Sequence, residues 1–374
     1  MKIGIVLPYD IFKGGGVREY ILSIQAELLT RGHEALVITP QPRGYVGEAP
    51  EGVLFVGGST DLKSPTATVI QVSASGDPDK IHDVLAEQKF DILHFHEPWI
   101  PIISRQILSR SNTVNVATFH AKLPDTVMSK TIERVITPYT KSILKYIDVM
   151  TTVSEPSSEY IRQLTNQEIH FVTNGVDLKK YKPKVHPKLA SPTIFYVGRL
   201  EKRKGVKYLI RAFALVERQV PDAHLIIGGD GPDRKKLELL ATELGIQNIE
   251  FRGFISDEEK IKLMQSVDVF CAPAIYGEAF GIVLIEALAC GAPVVAGANP
   301  GYASVLTGRG ALGLVNPYDE VDFARRLTLH LQDPGLRKFW SEWSKEHVKQ
   351  FDYKHVVDKY EALYEQAIKD HRKK

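Results

Sequence analysis

The sequence is poor in cysteine and contains no long apolar segment. Its two cysteines, Cys271 and Cys290, are too few for a disulfide framework or a four-ligand zinc site. Their small, apolar neighbours favour buried, reduced thiols, which are typical of a cytoplasmic protein. The apolar run at residues 3–7 is too short for a signal peptide, and no run approaches about eighteen residues. We therefore predict a protein that does not span a membrane, with binding to a membrane surface left open.

The sequence also lacks an excess of charge of either sign. Its 47 Lys and Arg residues face 45 Asp and Glu residues, a net charge of +2, so there is no general electrostatic reason to expect a nucleic-acid partner. The composition is 44% hydrophobic and 25% charged, without low-complexity tracts, which excludes disordered and fibrous classes. At about 150 residues per domain, the length indicates two domains, with three as the alternative.

Short apolar runs alternate with amphipathic helical segments along the chain. The runs are continuously apolar, as in parallel strands covered on both faces, and the alternation is typical of a doubly wound sheet. It lapses at residues 177–192, where lysines and prolines leave little to bury. We predict an α/β protein with two Rossmann-like domains. These are residues 1–176, completed by a C-terminal helix at 353–374, and residues 193–352, joined by a linker at 177–192.

A glycine triplet, residues 14–16, lies between the first predicted strand and the first predicted helix. Glycines let backbone N–H groups approach a ligand, and the following helix N-terminus carries partial positive charge, so the turn suits an anion such as a diphosphate. A plain tight turn explains the pattern equally well. Since ligands of open α/β sheets bind at the carboxyl ends of strands, we expect the site in a cleft between the domains.

A basic turn follows the first strand of the second domain. Arg199 ends that strand and Lys204 begins the next helix, so both are expected to face the cleft, where they would neutralise a departing diphosphate. Lys202 and Arg203 are interpreted as solvated surface, which is the usual state of a charge run. A solvated basic loop is the alternative for the whole turn.

The most specific segment contains Glu278 and Glu286, eight positions apart. We expect Glu278 in a loop and Glu286 inside the helix that follows, whose free N–H groups suit a phosphate. Two carboxylates on one wall suggest a glycosidase pair. A hydrolase is the weaker interpretation, because a carboxylate on a helix could not flank a sugar carbon together with one in a loop.

These features resemble the retaining glycosyltransferases of family 4, over essentially the whole chain. Glu278 and Glu286, with Phe280-Gly281-Ile282-Val283 between them, resemble the E-x7-E signature of that family. Its architecture, GT-B, has two Rossmann-like domains that face each other across a cleft. Within the family the sequence is most similar to bacterial phosphatidylinositol mannosyltransferases, at Tyr9, Gly15-Gly16-Val17, His96-Glu97-Pro98, Thr118-Phe119-His120, Pro138-Tyr139, Asn174-Gly175-Val176-Asp177 and Cys271-Ala272-Pro273.

The resemblance implies a role for each matching residue. Glu278 would hold hydroxyls of the donor sugar, Arg199 and Lys204 would bind the diphosphate, and Glu286 would bind the ribose. His120 would contact the sugar, which completes a catalytic set of Glu278, His120, Arg199 and Lys204. The other donor-binding positions so implied are Gly15 and Gly16 at the phosphates, Ile255 and Lys260 at the purine, and Phe280, Gly281, Ile282 and Val283.

The acceptor side departs from the family in two places. The resemblance implies that Tyr9 and Arg18 bind the acceptor, but inositol-specific members carry Gln at the position of Arg18, and an arginine favours a phosphate or carboxylate on the acceptor. Those members reach anionic lipid with a basic early helix, whereas residues 77–87 are acidic on balance. A basic, amphipathic helix at residues 126–146 is a substitute, and ordinary packing of that helix on the sheet is the alternative.

No protein-held metal and no tightly bound cofactor are predicted. His94, His96 and Glu97 lack an obvious further ligand, so we assign this segment to packing and a hinge. The sequence Asp77-Pro78-Asp79 is interpreted as a helix start. Any Mg²⁺ is expected to accompany the diphosphate.

Retention in this family is attributed to front-face attack, in which the leaving diphosphate itself takes the acceptor's proton. The resemblance implies transfer of mannose from GDP-mannose to a phosphatidylinositol-like or other lipid or polyol acceptor, by a cytoplasmic protein at the inner face of the membrane. The alternatives are transfer from a UDP-sugar to a soluble or other lipid acceptor, a sugar-nucleotide epimerase, and a non-catalytic sugar-nucleotide binder.

Overall fold

The computed structural model describes residues 1–13, 15–63, 69–75, 77–122, 127–183 and 187–373, without the side chains of 60–63, 69–75, 127–132 and 135. The chain divides into two compact units. The first consists of Met1–Asn174 and Tyr353–Lys374, and the second of Gly175–Asp352.

The first unit contains a sheet whose described strands lie in the order β4-β3-β2-β1-β5-β6-β7-β8. Neighbouring strands are parallel except β3 and β4, which are antiparallel. Its elements are β1 (Lys2–Val6), α1 (Gly16–Thr30), β2 (Glu34–Gln41), β3 (Val53–Lys63), β4 (Val69–Ser75), α2 (Pro78–Gln88), β5 (Ile92–His96), α3 (Ile103–Leu108), β6 (Val114–Phe119), α4 (Val127–Leu144), β7 (Val149–Thr152), α5 (Glu155–Arg162), β8 (Ile169–Phe171) and α13 (Tyr353–His371).

The apolar runs of this sheet are buried on both faces. Ile3 and Ile5 of β1 pack with α1 and α13, whereas Val6 packs in a second cluster with α2, α3, α4 and α5. Alternate residues of a strand point to opposite faces, so a run without polar interruption requires helices on both sides. Helix α13 closes one face through Tyr360, whose hydroxyl lies 2.8 Å from that of Tyr20 on α1.

The second unit contains a parallel sheet whose described strands lie in the order β11-β10-β9-β12-β13-β14. Its core joins β9 to helices α6 and α11. Its elements are β9 (Thr193–Val197), α6 (Val206–Gln219), β10 (His224–Gly228), α7 (Arg234–Glu243), β11 (Ile249–Gly253), α8 (Asp257–Ser266), β12 (Val269–Ala272), α9 (Ile282–Ala289), β13 (Val294–Gly297), α10 (Pro300–Val305), β14 (Leu314–Val315), α11 (Glu320–Gln332) and α12 (Pro334–His347).

Each sheet has one point at which the strand order reverses direction. In the first unit β1 lies between β2 and β5, and in the second β9 lies between β10 and β12. Ligands of such sheets bind beyond the carboxyl ends of the strands at this point, because the connecting helices diverge there. The loops after β1, β5, β6, β9 and β12 are therefore where functional side chains are expected.

Residues 177–183 of the predicted linker, with residues 175–176 before them, belong to the second unit. The N–H of Val176 donates to the carbonyl oxygen of Phe351 at 2.8 Å, and Lys180 Nζ lies 2.8 Å from Asp257 Oδ2. Tyr181 is buried. Residues 184–186 of the predicted linker lie outside the described residues.

Two local interpretations of the first unit can be compared with the structure. Asp77 caps α2 by accepting the N–H of Lys80 at 3.0 Å, which confirms a helix start there. In α4, Ile143 is buried in the core and Lys141 is exposed, as is Lys145 just after the helix, so the described part of this helix packs on the sheet through its apolar side. The side chains of Val127, Lys130, Ile132 and Val135, which the membrane interpretation also used, lie outside the described residues. None of the described helices is both long and apolar enough to cross a membrane.

Candidate functional site

The second unit gathers charged side chains where β9 and β12 end. Residues Lys202–Lys204 form one turn of 3₁₀ helix, which Gly205 ends with a φ of +68°. A Cβ on Gly205 would lie 2.0 Å from the carbonyl oxygen of Pro273, so only glycine allows this turn to pack against the loop after β12. That loop carries Glu278 and thereby meets the basic turn.

Five side chains form what we call the charged cluster: Arg199, Glu201, Arg203, Lys204 and Glu278. Glu278 Oε1 lies 2.8 Å from both Lys204 Nζ and Arg203 Nη1. Glu201 pairs with Arg203 Nε at 2.6 Å and with Arg199 Nε at 3.3 Å, the latter without the alignment of a hydrogen bond. The structure thus brings the predicted Arg199, Lys204 and Glu278 together.

The expectation that Arg203 is solvated is wrong. Its side chain is 27% exposed and bridges Glu201 to Glu278, whose own side chain is 11% exposed. Lys202, in the same turn, is exposed as expected. Arg203 is partly buried because it donates a hydrogen bond to Glu278, which is 75 positions away in the sequence.

Helix α9 begins at Ile282, four positions after Glu278. Gly281 precedes it with a φ of +119°, and a Cβ there would lie 2.7 Å from the Tyr302 ring. Ile282 and Val283 form its first turn, whose N–H groups have no intrahelical acceptor. Phe280 is buried and makes an edge contact with Phe351, with centroids 5.7 Å apart. The loop position of Glu278 and the helical position of Glu286 are confirmed.

Glu286 belongs to a second group, the Lys260 network, made up of Lys180, Tyr181, Asp257, Lys260 and Glu286. Lys260 Nζ lies 2.9 Å and 3.1 Å from the two Glu286 carboxylate oxygens and 3.3 Å from Asp257 Oδ1. Burial opposes the charge of Lys260, but these carboxylates outweigh it and raise its pKa. The ring centroid of Tyr181 lies 5.3 Å from Lys260 Nζ.

Ile255, predicted at the purine, follows β11 and is buried. It packs so closely on β10 that a Cβ on Gly228 would lie 2.3 Å from its Cδ1. Lys260, also predicted at the purine, lies one helical turn into α8, where it contacts Glu286 and Asp257. The predicted purine-binding residues are therefore on adjoining elements, with Ile255 mainly in the core.

In the first unit, the predicted acceptor residues flank the start of α1. Gly15 precedes the helix and Gly16 is its first residue, while Gly14 lies outside the described residues. Arg18 is held by its own surroundings, because its Nε donates to the carbonyl oxygen of Ile11 and its guanidinium pairs with Glu19. Tyr9 follows β1, and burial together with the nearby Glu97 carboxylate raises the pKa of its hydroxyl.

His120 follows β6 in a buried polar group. Its Nε2 lies 2.8 Å from His96 Nδ1, and its backbone N–H donates to Glu97 Oε1 at 2.7 Å. Burial lowers the pKa of His94 and His120 from 6.5 to about 3 and that of His96 in the same direction, so all three are neutral imidazoles. Burial raises the pKa of Glu97 from 4.5 to about 7. Among the described residues, no three His, Cys, Asp or Glu side chains form a metal-binding group.

Sequence reasoning missed three side chains of these groups. Arg203 was assigned to solvent, Tyr181 fell within the predicted linker, and Tyr20, whose ring makes an edge contact with His120, was not singled out. For Arg203 the available signal is its place next to Lys204, but contacts such as Tyr20 with Tyr360 require knowledge of how distant elements pack.

The solved structures that resemble this chain define its fold class. Sucrose-phosphate synthase from Thermosynechococcus elongatus superposes with a TM-score of 0.76 at 21% identity, over 98% of both chains. The fold is GT-B, built from two Rossmann-like units. The predicted fold class is confirmed.

Sequence comparison then gives the family. The model described as "Glycosyl transferases group 1" matches residues 178–347, and "Glycosyltransferase Family 4" matches residues 14–180. Phosphatidyl-myo-inositol mannosyltransferase from Mycolicibacterium smegmatis is 30% identical over 98% of this chain and 94% of that protein. A GDP-mannose-dependent monoacylated alpha-(1-6)-phosphatidylinositol monomannoside mannosyltransferase from Corynebacterium glutamicum is 32% identical over 51% of this chain and 55% of its own. The chain belongs to glycosyltransferase family 4.

Proposed function

We propose that this protein transfers mannose from GDP-mannose, with retention of configuration, to a phosphatidylinositol-like or other lipid or polyol acceptor. The observation that carries the proposal is the 30% identity to a phosphatidyl-myo-inositol mannosyltransferase over nearly the full length of both chains. The name of the Corynebacterium glutamicum relative supports GDP-mannose as donor. A lipid acceptor would place the reaction at the inner face of the membrane.

The charged cluster stabilises the leaving diphosphate in this proposal. Lys204 Nζ forms an ion pair with Glu278 at 2.8 Å, and its ammonium group carries three N–H donors that can also be offered to phosphate oxygens. Arg199 adds a planar cation beside it. Fixed cations of this kind lower the barrier because negative charge grows on the diphosphate as the sugar bond breaks.

Two cations orient Glu278 for binding of the donor sugar in this proposal. Lys204 and Arg203 both contact its Oε1, which leaves Oε2 to accept hydrogen bonds from sugar hydroxyls. It is not assigned as a nucleophile. The acceptor hydroxyl attacks the anomeric carbon on the face from which GDP departs, and its proton passes to the departing diphosphate.

The Lys260 network binds the nucleoside in this proposal. Glu286 accepts the ribose hydroxyls, with its orientation fixed by Lys260 at 2.9 Å, and the first turn of α9 offers N–H groups to the phosphates. For the first unit the proposal keeps the roles that the resemblance implies: Gly15 and Gly16 at the phosphates, His120 at the sugar, and Tyr9 and Arg18 at the acceptor.

A transfer assay tests the proposal. GDP-mannose and UDP-glucose are each offered with phosphatidylinositol, a second anionic phospholipid, or free inositol, and the anomeric configuration of the product is read by NMR. We expect an α-mannoside from GDP-mannose. Transfer from UDP-glucose alone supports the alternative donor, conversion of the donor sugar without acceptor supports an epimerase, and an inverted product contradicts the retaining mechanism.

Two lysines of the same turn provide a matched pair of variants. Lys204→Ala should lower kcat/KM by about 100-fold or more, as expected for a lost oxyanion-type contact. Lys202→Ala removes the same charge from the exposed side of the turn and should stay within about twofold of wild type. Equal activities of the two variants would remove Lys204 from the site.

A further inference from the structure

The end of β5 contacts His120 at two points. One contact is to the ring, from His96, and the other is to the backbone, from Glu97. The two residues are adjacent in sequence, and His120 lies two positions beyond Thr118, the register partner of His96 on β6. Neighbouring strand ends thus converge on one imidazole.

The ring contact couples the protonation of two imidazoles. The His96 and His120 rings are nearly parallel, with centroids 5.2 Å apart, an interplanar angle of 26° and nitrogens 2.8 Å apart. Both are neutral and buried, so each carries one N–H, and a hydrogen bond between them requires one to donate and the other to accept. This hydrogen bond, together with the one between the His120 and Asn174 side chains, determines which nitrogen of His120 carries the proton.

The backbone contact fixes the turn that presents His120. Glu97 Oε1 accepts the N–H of His120 at 2.7 Å and that of Ala121 at 2.8 Å, while its own N–H donates to the Thr118 carbonyl oxygen at 2.9 Å. Glu97 holds this position with a φ of +50°, a conformation that non-glycine residues rarely adopt. Such strain persists only where surrounding contacts enforce it.

His94, on the same strand, provides the contrast. Its Nδ1 lies 2.7 Å from the Tyr364 hydroxyl and its Nε2 lies 2.6 Å from the Thr118 hydroxyl. Both ring nitrogens are thus used to join β5 to α13 and β6. His94 is as buried as His96, but its ring nitrogens contact Thr118 and Tyr364 rather than His120, and it serves packing.

We propose that His96 and Glu97 are positioning residues for His120, one selecting its tautomer and the other fixing its backbone. The inference rests on the proposed role of His120 at the sugar and replaces the interpretation of this segment as packing and a hinge. An imidazole with a fixed tautomer presents a defined donor or acceptor to a sugar hydroxyl, whereas one that exchanges tautomers does so only part of the time.

Nitrogen NMR of the full-length protein labelled at histidine tests the ring contact directly. His120 is assigned by its loss in His120→Gln. In wild type we expect one protonated and one bare ring nitrogen. His96→Phe, which keeps a ring but no nitrogen, should move the His120 signals toward tautomer averaging, while His94→Phe should leave them unchanged. The same signals in His96→Phe and wild type would overturn the proposal.

Kinetics supply the second readout. His96→Phe and Glu97→Ala should lower kcat by roughly 10- to 100-fold with little change in the donor KM, as for a misplaced catalytic group. Glu97→Gln keeps an oxygen for the two N–H groups and should recover most of that loss, and His94→Phe should affect mainly stability. Equal kcat losses in the His94 and His96 variants would overturn the proposal, because packing alone would then explain both.

The two hypotheses fail separately. Full activity of His120→Gln would refute the role of His120 at the sugar, whatever the NMR result. If His120→Gln is inactive but the His96 and Glu97 variants are indistinguishable from wild type in spectrum and kcat, the positioning role alone is refuted.

Discussion

Replacing Glu97 by Gln should make the first unit more sensitive to acid. Burial raises the pKa of Glu97 from 4.5 to about 7, so the folded protein binds a proton that the unfolded chain has released. The stabilisation from this proton is complete below about pH 4.5 and is lost as the pH rises through about 7. Between about pH 7 and pH 5 it contributes about 2 kcal/mol to the free energy of unfolding.

The buried histidines act in the opposite direction. The pKa of His94 and of His120 falls from 6.5 to about 3 on folding, so the unfolded chain binds protons that the folded protein does not. Their stabilisation is present above about pH 6.5 and declines as the pH falls, at about 2 kcal/mol each between pH 7 and pH 5. Between pH 7 and pH 5 the stability gained from Glu97 therefore compensates for the stability lost from about one histidine. Gln at position 97 removes this compensation.

Hydrogen exchange as a function of urea, read by mass spectrometry on peptides from β5 and β6, measures the stability of this unit separately from the second. The free energy of unfolding should be lower in Glu97→Gln than in wild type, and this difference should be about 2 kcal/mol larger at about pH 5 than at pH 7. Glu87→Gln removes an exposed carboxylate of α2 and controls for net charge. A deficit for Glu97→Gln that does not depend on pH would refute the reasoning.

Three further substitutions probe single contacts. Arg203→Ala should lower kcat/KM by about 10- to 100-fold, because it removes one of the two cations that orient Glu278. Wild-type kinetics would mean that Arg203 has no role in the site. Tyr360→Phe removes the hydroxyl bonded to Tyr20 and should cost about 1–3 kcal/mol in urea unfolding of the first unit; no change would show that the pair is replaceable. Gly205→Ala should destabilise the second unit by more than Gly245→Ala, since both have positive φ but only Gly205 meets a backbone carbonyl oxygen, and equal losses in urea unfolding would contradict this.

The repeated apolar runs were enough to predict two parallel-sheet units, because full burial of a strand leaves a continuous signal. Strand β3 was missed: it contains Gly57 and Gly58 followed by polar residues, a composition typical of a turn. Its strand conformation comes from the ladders with β2 and β4, which are contacts between separate segments.

The parts of the candidate site that depend only on nearby positions in the sequence could be predicted. The spacing of Glu278 and Glu286 placed one in a loop and the other in α9, as the structure has them. Arg203 was misassigned because its partner is remote in sequence, and no local pattern separates a paired arginine from a solvated one. Likewise, His96 and His120 are on strands whose adjacency and register only the folded sheet defines.

The charged cluster and the Lys260 network differ in charge balance. The cluster has three cations and two carboxylates, which leaves one positive charge, whereas the network has two of each. GDP carries its negative charge on the diphosphate and none on the nucleoside, so the imbalance matches the proposed placement of each part. GDP binding should therefore weaken as ionic strength rises, while guanosine binding changes little. Calorimetric titration at low and high salt measures both, and equal salt dependence would mean that the charged cluster does not bind the diphosphate.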